Sequence, residues 1–263
     1  MIAFMKIDLS DKVAIVTGAS GQLGRVIART LADCGAAVAI HYHQNEAKAL
    51  ELCKEIQAKN PQSKNLQCMV VQADVTDLDS ILRMKDKVLQ TLGAPQIVVN
   101  NAVIQYGPWK EVLDEDPAVY EHQFRSCVLQ NVFMAKAFAP AMIKKEYGRI
   151  IAINTECAMQ NFPTQSGYVA GKRGMDGVLR VLAKEIGKHQ ITVNQVAPGW
   201  IETEKERKKL FKKTEPYCQT VPLRRRGTEQ EVANLVAFLA SDLSSFITGC
   251  YIPVSGGNVM PTI

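Results

Sequence analysis

Two things are missing from this chain, and each absence narrows what it does. Its seven cysteines, at 34, 53, 68, 127, 157, 218 and 250, are odd in number and form no Cys-x-x-Cys pair. That argues against a disulfide framework or a zinc site and for a reducing cytoplasm, so no metal is expected. Long apolar runs are also missing. None approaches the roughly 18 residues of a membrane span, and Lys6 and Asp8 interrupt the N-terminal stretch before a signal-peptide core can form. A soluble chain with no membrane partner is the expectation. Neither charge sign dominates: 31 Lys and Arg face 26 Asp and Glu, a net +5 that is too mild to imply nucleic acid. Aromatics make up only 6% and are not interleaved with the basic residues for base stacking.

What is present is a regular alternation. No linker-like run, repeat or low-complexity tract divides the 263 residues, enough for one domain, 1–263, with a substantial core. Strand-like runs at 13–17, 37–41, 68–72, 96–100, 148–154, 191–196 and 250–254 are separated mostly by helical stretches. This βαβ alternation predicts an α/β Rossmann fold, a doubly wound, mostly parallel seven-stranded sheet with helices on both faces. Its ligand crevice belongs at the C-terminal ends of the strands.

The opening turn fits that crevice. Lys12 to Val16 form a short apolar strand, Thr17-Gly18-Ala19-Ser20-Gly21-Gln22-Leu23-Gly24 follow, and Val26, Ile27 and Leu31 mark one face of a helix. Glycines let backbone approach a pyrophosphate, and a helix N-terminus offers free N–H groups to it. Further along, Tyr168 and Lys172 lie four apart, on one face of a helix. A cation there favours phenolate and lowers a phenol pKa from about 10 towards neutral. Tyr106 and Lys110 share this spacing, but Pro108 lies between them, which a helix interior rarely accepts. Tyr168 differs because Thr155 ends a strand-like run thirteen positions before it.

With the Thr17–Gly24 turn, Ala73-Asp74-Val75, Asn100-Asn101-Ala102, Gly148-Arg149-Ile150-Ile151, Tyr168/Lys172, Ile191-Thr192-Val193-Asn194, Pro198-Gly199 with Thr203, and Gly256-Gly257 in that order, the chain resembles the short-chain dehydrogenase/reductase family over nearly its whole length. Its last third is similar to bacterial 3-oxoacyl-carrier-protein reductases in Val221-Pro222-Leu223-Arg224, Glu231-Val232-Ala233 and Phe238-Leu239-Ala240-Ser241. His41-Tyr42-His43 and Glu46 to Leu50 look more like pteridine reductases.

The resemblance implies hydride transfer between nicotinamide and a carbonyl or alcohol. Tyr168 is the implied general acid, Thr155 the hydroxyl that donates to the carbonyl oxygen, and Lys172 the residue that holds the ribose and keeps Tyr168 acidic. It implies cofactor contacts from Gly18, Ser20, Gln22, Leu23, Gly24, Tyr42, His43, Asp74, Val75, Asn101, Ala102, Tyr168, Lys172, Pro198, Gly199, Ile201 and Thr203. Asp74 is implied to bind the adenine edge, although an Asp at a strand end also serves as a helix cap. NADP(H) is favoured over NAD(H), because no carboxylate occupies 41–45 to accept from a ribose 2′-OH.

Thr155 in place of the usual Ser, Gln22 and Val103 in place of glycines, and Cys127 in place of the fourth catalytic Asn depart from the family pattern, with Asn131 one turn onward from Cys127. Met159, Gln160, Phe162 and Gln165 are expected to line the substrate pocket. A mobile lid at about 200–222, rich in Lys205, Arg207, Lys208, Lys209, Lys212 and Lys213 and followed by Arg224 to Arg226, would steer an acyl thioester on CoA or a carrier protein. A solvated helix face is the plainer reading of the same charges. Family resemblance also implies a homotetramer, joined through Gln123 to Ala141 and the helix after Tyr168. The leading expectation is reduction of a 3-oxoacyl thioester or similar ketone. Pteridine reduction, sugar or polyol oxidation, and non-catalytic cofactor binding stay open.

Overall fold

The structure, a computed structural model, describes residues 6–59, 67–104, 108–207 and 215–261. Tyr106 and the lid lysines 208, 209, 212 and 213 lie outside them. Along the chain run β1 (Val13–Val16), α1 (Gln22–Asp33), β2 (Ala37–Tyr42), α2 (Glu46–Lys59), β3 (Cys68–Gln72), α3 (Leu78–Thr91), β4 (Ile97–Asn100), α4 (Pro117–Gln123), α5 (Gln130–Lys145) and β5 (Gly148–Ile153). Then come α6 (Cys157–Gln160), α7 (Ser166–Ile186), β6 (Ile191–Pro198), β7 (Ile201–Glu202), α8 (Glu204–Arg207), α9 (Glu215–Thr220), β8 (Gly227–Thr228), α10 (Glu229–Ala240) and β9 (Tyr251–Val254). A π-helical turn, Phe124–Leu129, joins α4 to α5.

Seven strands form one sheet in the order β3-β2-β1-β4-β5-β6-β9, every pairing parallel. Parallel strands covered on both faces are apolar throughout rather than alternating, and β1, β4, β5 and β6 are buried at every residue. The order reverses between β1 and β4, where a doubly wound sheet opens its crevice. One face carries a core of Ile27 and Leu31 from α1, Leu52 and Ile56 from α2, and Val236 and Leu239 from α10. The other carries Ile81 and Met84 from α3, Met134 and Phe138 from α5, and Met175 and Leu179 from α7.

Each expected strand is present to within two residues. Two-residue strands β7 and β8 pair with each other and had no sequence signal. The helical stretch Pro117–Lys145 is long and apolar enough, by composition, to cross a bilayer. Its apolar residues serve the core instead: Met134, Phe138 and Met142 are at most 2% exposed. At the other end of the sheet from the crevice, where β1 and β5 begin, Lys12 Nζ and Arg149 Cζ lie 4.2 and 4.3 Å from the centroid of the Tyr147 ring. Tyr147 Oη and Arg149 Nη2 each donate to Asp242 Oδ1 at 2.9 Å.

Candidate active site

The C-terminal ends of the strands enclose a cleft of about 860 Å³. At one end is the opening turn. Thr17, fully buried, ties that turn to the end of β4: its Oγ1 accepts from Asn101 N at 2.9 Å and Ala102 N at 3.0 Å. Asn101 Nδ2 donates back to Thr17 O at 2.9 Å. Gly18 adopts φ +64°, a conformation that only glycine takes without strain. A Cβ on Gly24 would stand 2.3 Å from Gly18 O and 2.7 Å from Asn101 Nδ2, so the cradle requires glycine there. No side chain caps the start of α1, where Gly21 is the N-cap. Those N–H groups are aimed as a pyrophosphate needs, and the cradle fits a dinucleotide.

His41 is the residue that sequence reasoning passed over. It is 1% exposed. Its Nδ1 accepts from Gly18 N at 2.9 Å, which leaves Nε2 to donate to Ala73 O at 3.1 Å. Burial pushes its pKa down to about 4, partly offset by the Ala73 hydrogen bond, so at neutral pH it is an uncharged strut between the turn and the end of β3. Alternation along β2 turns Tyr42 away from the cleft onto the core beside α1 and α2. His43, Gln44 and Asn45 line the cleft in its place.

Asp77 caps α3 by accepting from Asp79 N and Ser80 N, so Asp74 is not needed as that cap. Asp74 Oδ1 takes Thr76 N and Oγ1 at 2.8 and 2.7 Å, while Oδ2 lies 4.0 Å from His43 Nε2. Burial raises the Asp74 pKa, but the two Thr76 hydrogen bonds and the nearby histidines outweigh it and the net shift is downward.

At the other end stand Thr155, Tyr168 and Lys172. Asn154, at the end of β5, holds two of them. Its Oδ1 accepts from Thr155 N at 2.9 Å, and its Nδ2 donates to Lys172 O at 3.1 Å and Gln195 Oε1 at 2.8 Å. Gln195 Nε2 continues to Asp176 Oδ1 at 2.7 Å. Tyr251 Oη donates to Thr155 O. Cys157 N donates to Thr155 Oγ1 at 3.2 Å, which leaves the Thr155 hydroxyl free to donate its own proton, and in this structure its partner is Tyr168. A polar Asn directly after the apolar run Ile150 to Ile153 was the available signal for this role.

Tyr168 does not show the acidity expected of it. Burial pushes its phenol upward, Cys157 adds to the shift, and the hydrogen bond from Thr155 only partly opposes them. Lys172 is spoken for: its Nζ donates to Ile153 O at 2.7 Å and lies 5.8 Å from the Tyr168 ring centroid. Burial depresses its own pKa as well. In this arrangement desolvation, with Lys172 turned to the Ile153 carbonyl, holds the Tyr168 phenol above its ordinary range and so in its protonated form. Trp109 meets it edge-on, with ring centroids 6.1 Å apart.

Cys127, in the π turn, keeps its carbonyl engaged. Asn131 Nδ2 donates to it at 2.6 Å, and Asn131 Oδ1 accepts from Asn100 Nδ2 at 2.7 Å.

Every expected cofactor residue lines the cleft except Tyr42 and Thr203. Thr203 instead turns its hydroxyl to Glu206 Oε2 at 2.9 Å. Of the expected substrate residues only Gln165 lines it, and Phe162 is 51% exposed. Three of the expected steering cations are paired within the chain: Arg207 with Glu229, Arg225 with Glu231 and Arg226 with Glu206.

A family model described as enoyl-(acyl carrier protein) reductase matches residues 18–258. The chain is 34% identical over 260 residues to the 3-oxoacyl-(acyl-carrier-protein) reductase of Staphylococcus epidermidis, spanning 95% of this chain and 100% of that one. It is 34% identical over 262 residues to the enzyme of that name from Pseudomonas aeruginosa, spanning 96% and 99%. A solved structure of a proposed short-chain alcohol dehydrogenase from Sinorhizobium meliloti is 29% identical, with TM-score 0.85 over 97% of this chain and 98% of that one. With the order of motifs along the chain, the parallel sheet and the Thr155–Tyr168–Lys172 grouping, these likenesses make the chain an oxidoreductase that belongs to the short-chain dehydrogenase/reductase family.

Proposed function

We propose that the chain is an NADP(H)-dependent reductase acting on a 3-oxoacyl thioester, carried by CoA or a carrier protein, or on a similar ketone. The observation that carries this is one cleft with a glycine cradle at one end and Thr155, Tyr168 and Lys172 at the other. A nicotinamide dinucleotide supplies the hydride when bound. The chain's own residues do the rest. As charge develops on the substrate oxygen, Thr155 donates a hydrogen bond to it and Tyr168 gives it the phenolic proton. A buried, protonated Tyr168 is the acid form that reduction consumes. Likeness to the two 3-oxoacyl-(acyl-carrier-protein) reductases supports the substrate class.

His43, Gln44 and Asn45, which present no carboxylate where they line the cleft, support NADP(H). Gly18, Ser20, Gln22, Leu23 and Gly24 hold the pyrophosphate in this reading, Asp74 and Val75 the adenine, and Asn101, Ala102, Pro198, Gly199 and Ile201 the nicotinamide side. Exposed Val181 on α7 and Phe124 beside α4 support a homotetramer through those helices, and the free thiols support a reducing cytoplasm.

The test follows NADPH absorbance over 3-oxoacyl-CoA and 3-oxoacyl carrier-protein thioesters, an enoyl thioester, small ketones, a pteridine and sugars. The highest kcat/KM is expected with a 3-oxoacyl thioester. NADPH left unoxidised by every carbonyl compound would reduce the chain to a cofactor-binding protein, and a preference for the enoyl thioester would displace the carbonyl reading.

A further inference from the structure

Directly after Thr155 comes a carboxylate that the chemistry above does not use. Glu156 is 3% exposed, and among the described residues it has no ion pair. A buried carboxylate without a cation is costly unless donors surround it. Here they come from distant parts of the chain. Tyr217 Oη, on α9, donates to Oε1 at 2.9 Å, and Asn258 Nδ2, in the loop after β9, donates to Oε2 at 3.1 Å. Tyr217 Oη in turn accepts from Trp200 N at 2.8 Å, and the Trp200 and Tyr217 rings meet edge-on at 5.5 Å. Glu156 N donates to Pro198 O at 2.9 Å. Beneath this knot lies Gly199, which lines the cleft. A Cβ there would stand 2.5 Å from Tyr217 Oη and 2.9 Å from Glu156 Oε2, so any side chain at 199 would push the Tyr217–Glu156 pair aside.

The six described residues of α9 are far fewer than a helix needs to hold itself in water. Its place therefore depends on tertiary ties. Those described are Tyr217 to Glu156 and Trp200, and Thr220 Oγ1 to Asn258 Oδ1 at 3.2 Å. Two acceptor oxygens facing an O–H and an NH₂ suit a carboxylate, whereas an amide would turn a donor towards one of them.

We propose that Glu156 is a positioning residue that fixes α9 and the Pro198–Ile201 loop to the strand end carrying Thr155, so that the wall beside the substrate and the hydroxyl that meets its oxygen are held in one register. This rests on the reductase reading for its kinetic consequence, but not for its structural one.

The experiment compares wild type, Glu156→Gln, Tyr217→Phe and the double variant by hydrogen exchange of the α9 amides and by steady-state kinetics on the best carbonyl substrate, with melting temperatures to confirm folding. Each single variant should speed exchange in α9 and raise substrate KM about tenfold, the low end for a hydrogen bond to a charged group. NADPH Kd should rise too, but by less than substrate KM, because the Pro198–Ile201 loop holds only the nicotinamide side, and the double variant should be no worse than either single one, because the pair acts as a unit. Unchanged α9 exchange, additive losses, or a fall in kcat with KM unmoved would overturn the proposal. A wild type that reduces no carbonyl would instead overturn the reductase reading, leaving the exchange comparison to decide the role of Glu156. Should Glu156→Gln fail to fold, Tyr217→Phe and Asn258→Ala carry the same comparison from the donor side.

Discussion

Single side chains divide the labour of the cleft, and each division can be measured. Tyr168→Phe keeps the ring that meets Trp109 but removes the proton. Turnover should fall by about 10²–10⁴, the usual contribution of a positioned acid, with NADPH Kd unchanged in calorimetry; a Phe variant with wild-type rates would disprove the proton path. His43→Asp should shift preference from NADPH to NADH, because a carboxylate beside the adenine ribose repels a 2′-phosphate. Titration of both cofactors checks this, and unchanged Kd values would remove His43 from the reading. His41 predicts a pH effect. Its pKa is near 4 in the fold against about 6.5 when unfolded, so between these values the unfolded chain binds the extra proton. The stabilisation is whole above pH 6.5 and lost as pH falls towards 4, at most about 3 kcal/mol from this residue. Urea midpoints at pH 7.5 and 4.5 should show the loss, and His41→Gln should flatten it. At this scale the sequence was legible where chemistry needs a particular atom, as at Thr155, Tyr168 and Lys172. His41 and Asn154 were not, because their roles depend on which neighbour a buried ring or amide faces.

Elements carry these residues with tolerances of a few tenths of an ångström. α7 bears Tyr168 and Lys172 and presses against the residues just before the π turn. A Cβ on Gly171 would stand 2.9 Å from Gln123 O, a backbone atom with no easy retreat. Gly171→Ala should therefore destabilise by about 1–3 kcal/mol, the usual cost of overpacking, and lower kcat as well. On the same helix a Cβ at Gly177 meets nothing within 4 Å, and Gly177→Ala should stabilise by up to about 1 kcal/mol through helix propensity. Urea denaturation of the two variants decides it; two changes of the same sign would break the argument. Periodicity located α7 and the other long helices because their apolar faces are wide. It could not show β7 and β8, two residues each, which exist only because distant segments meet. Nor could it show that Tyr42 turns inward, since shifting one residue along a strand changes its face.

For the whole molecule, the order of the strands sets what is exposed. α4, α5 and α7 share one side of the sheet, and Val181 there is 55% exposed. If those helices join four copies, light scattering should give four times the chain's 29.0 kDa, and Val181→Glu should lower that mass by burying a charge at the contact. A monomer in wild type would contradict the proposed tetramer. The parallel sheet itself was readable from βαβ alternation, whereas the sign balance of the lid segment was not. Arg207, Arg225 and Arg226 count as free cations in a sequence, yet in the fold each has a carboxylate beside it. The Tyr147 ring, flanked by Lys12 and Arg149 at the far end of the sheet, has a separate consequence. Six residues of β5 put about 20 Å between that end and the chemistry, two Debye lengths at ordinary ionic strength. An electrolyte that weakens the cations' hold on the ring and on Asp242 can loosen the bottom of the barrier between folded and unfolded chain while the catalytic end feels nothing. The molecule would then lose lifetime in brine long before it lost rate.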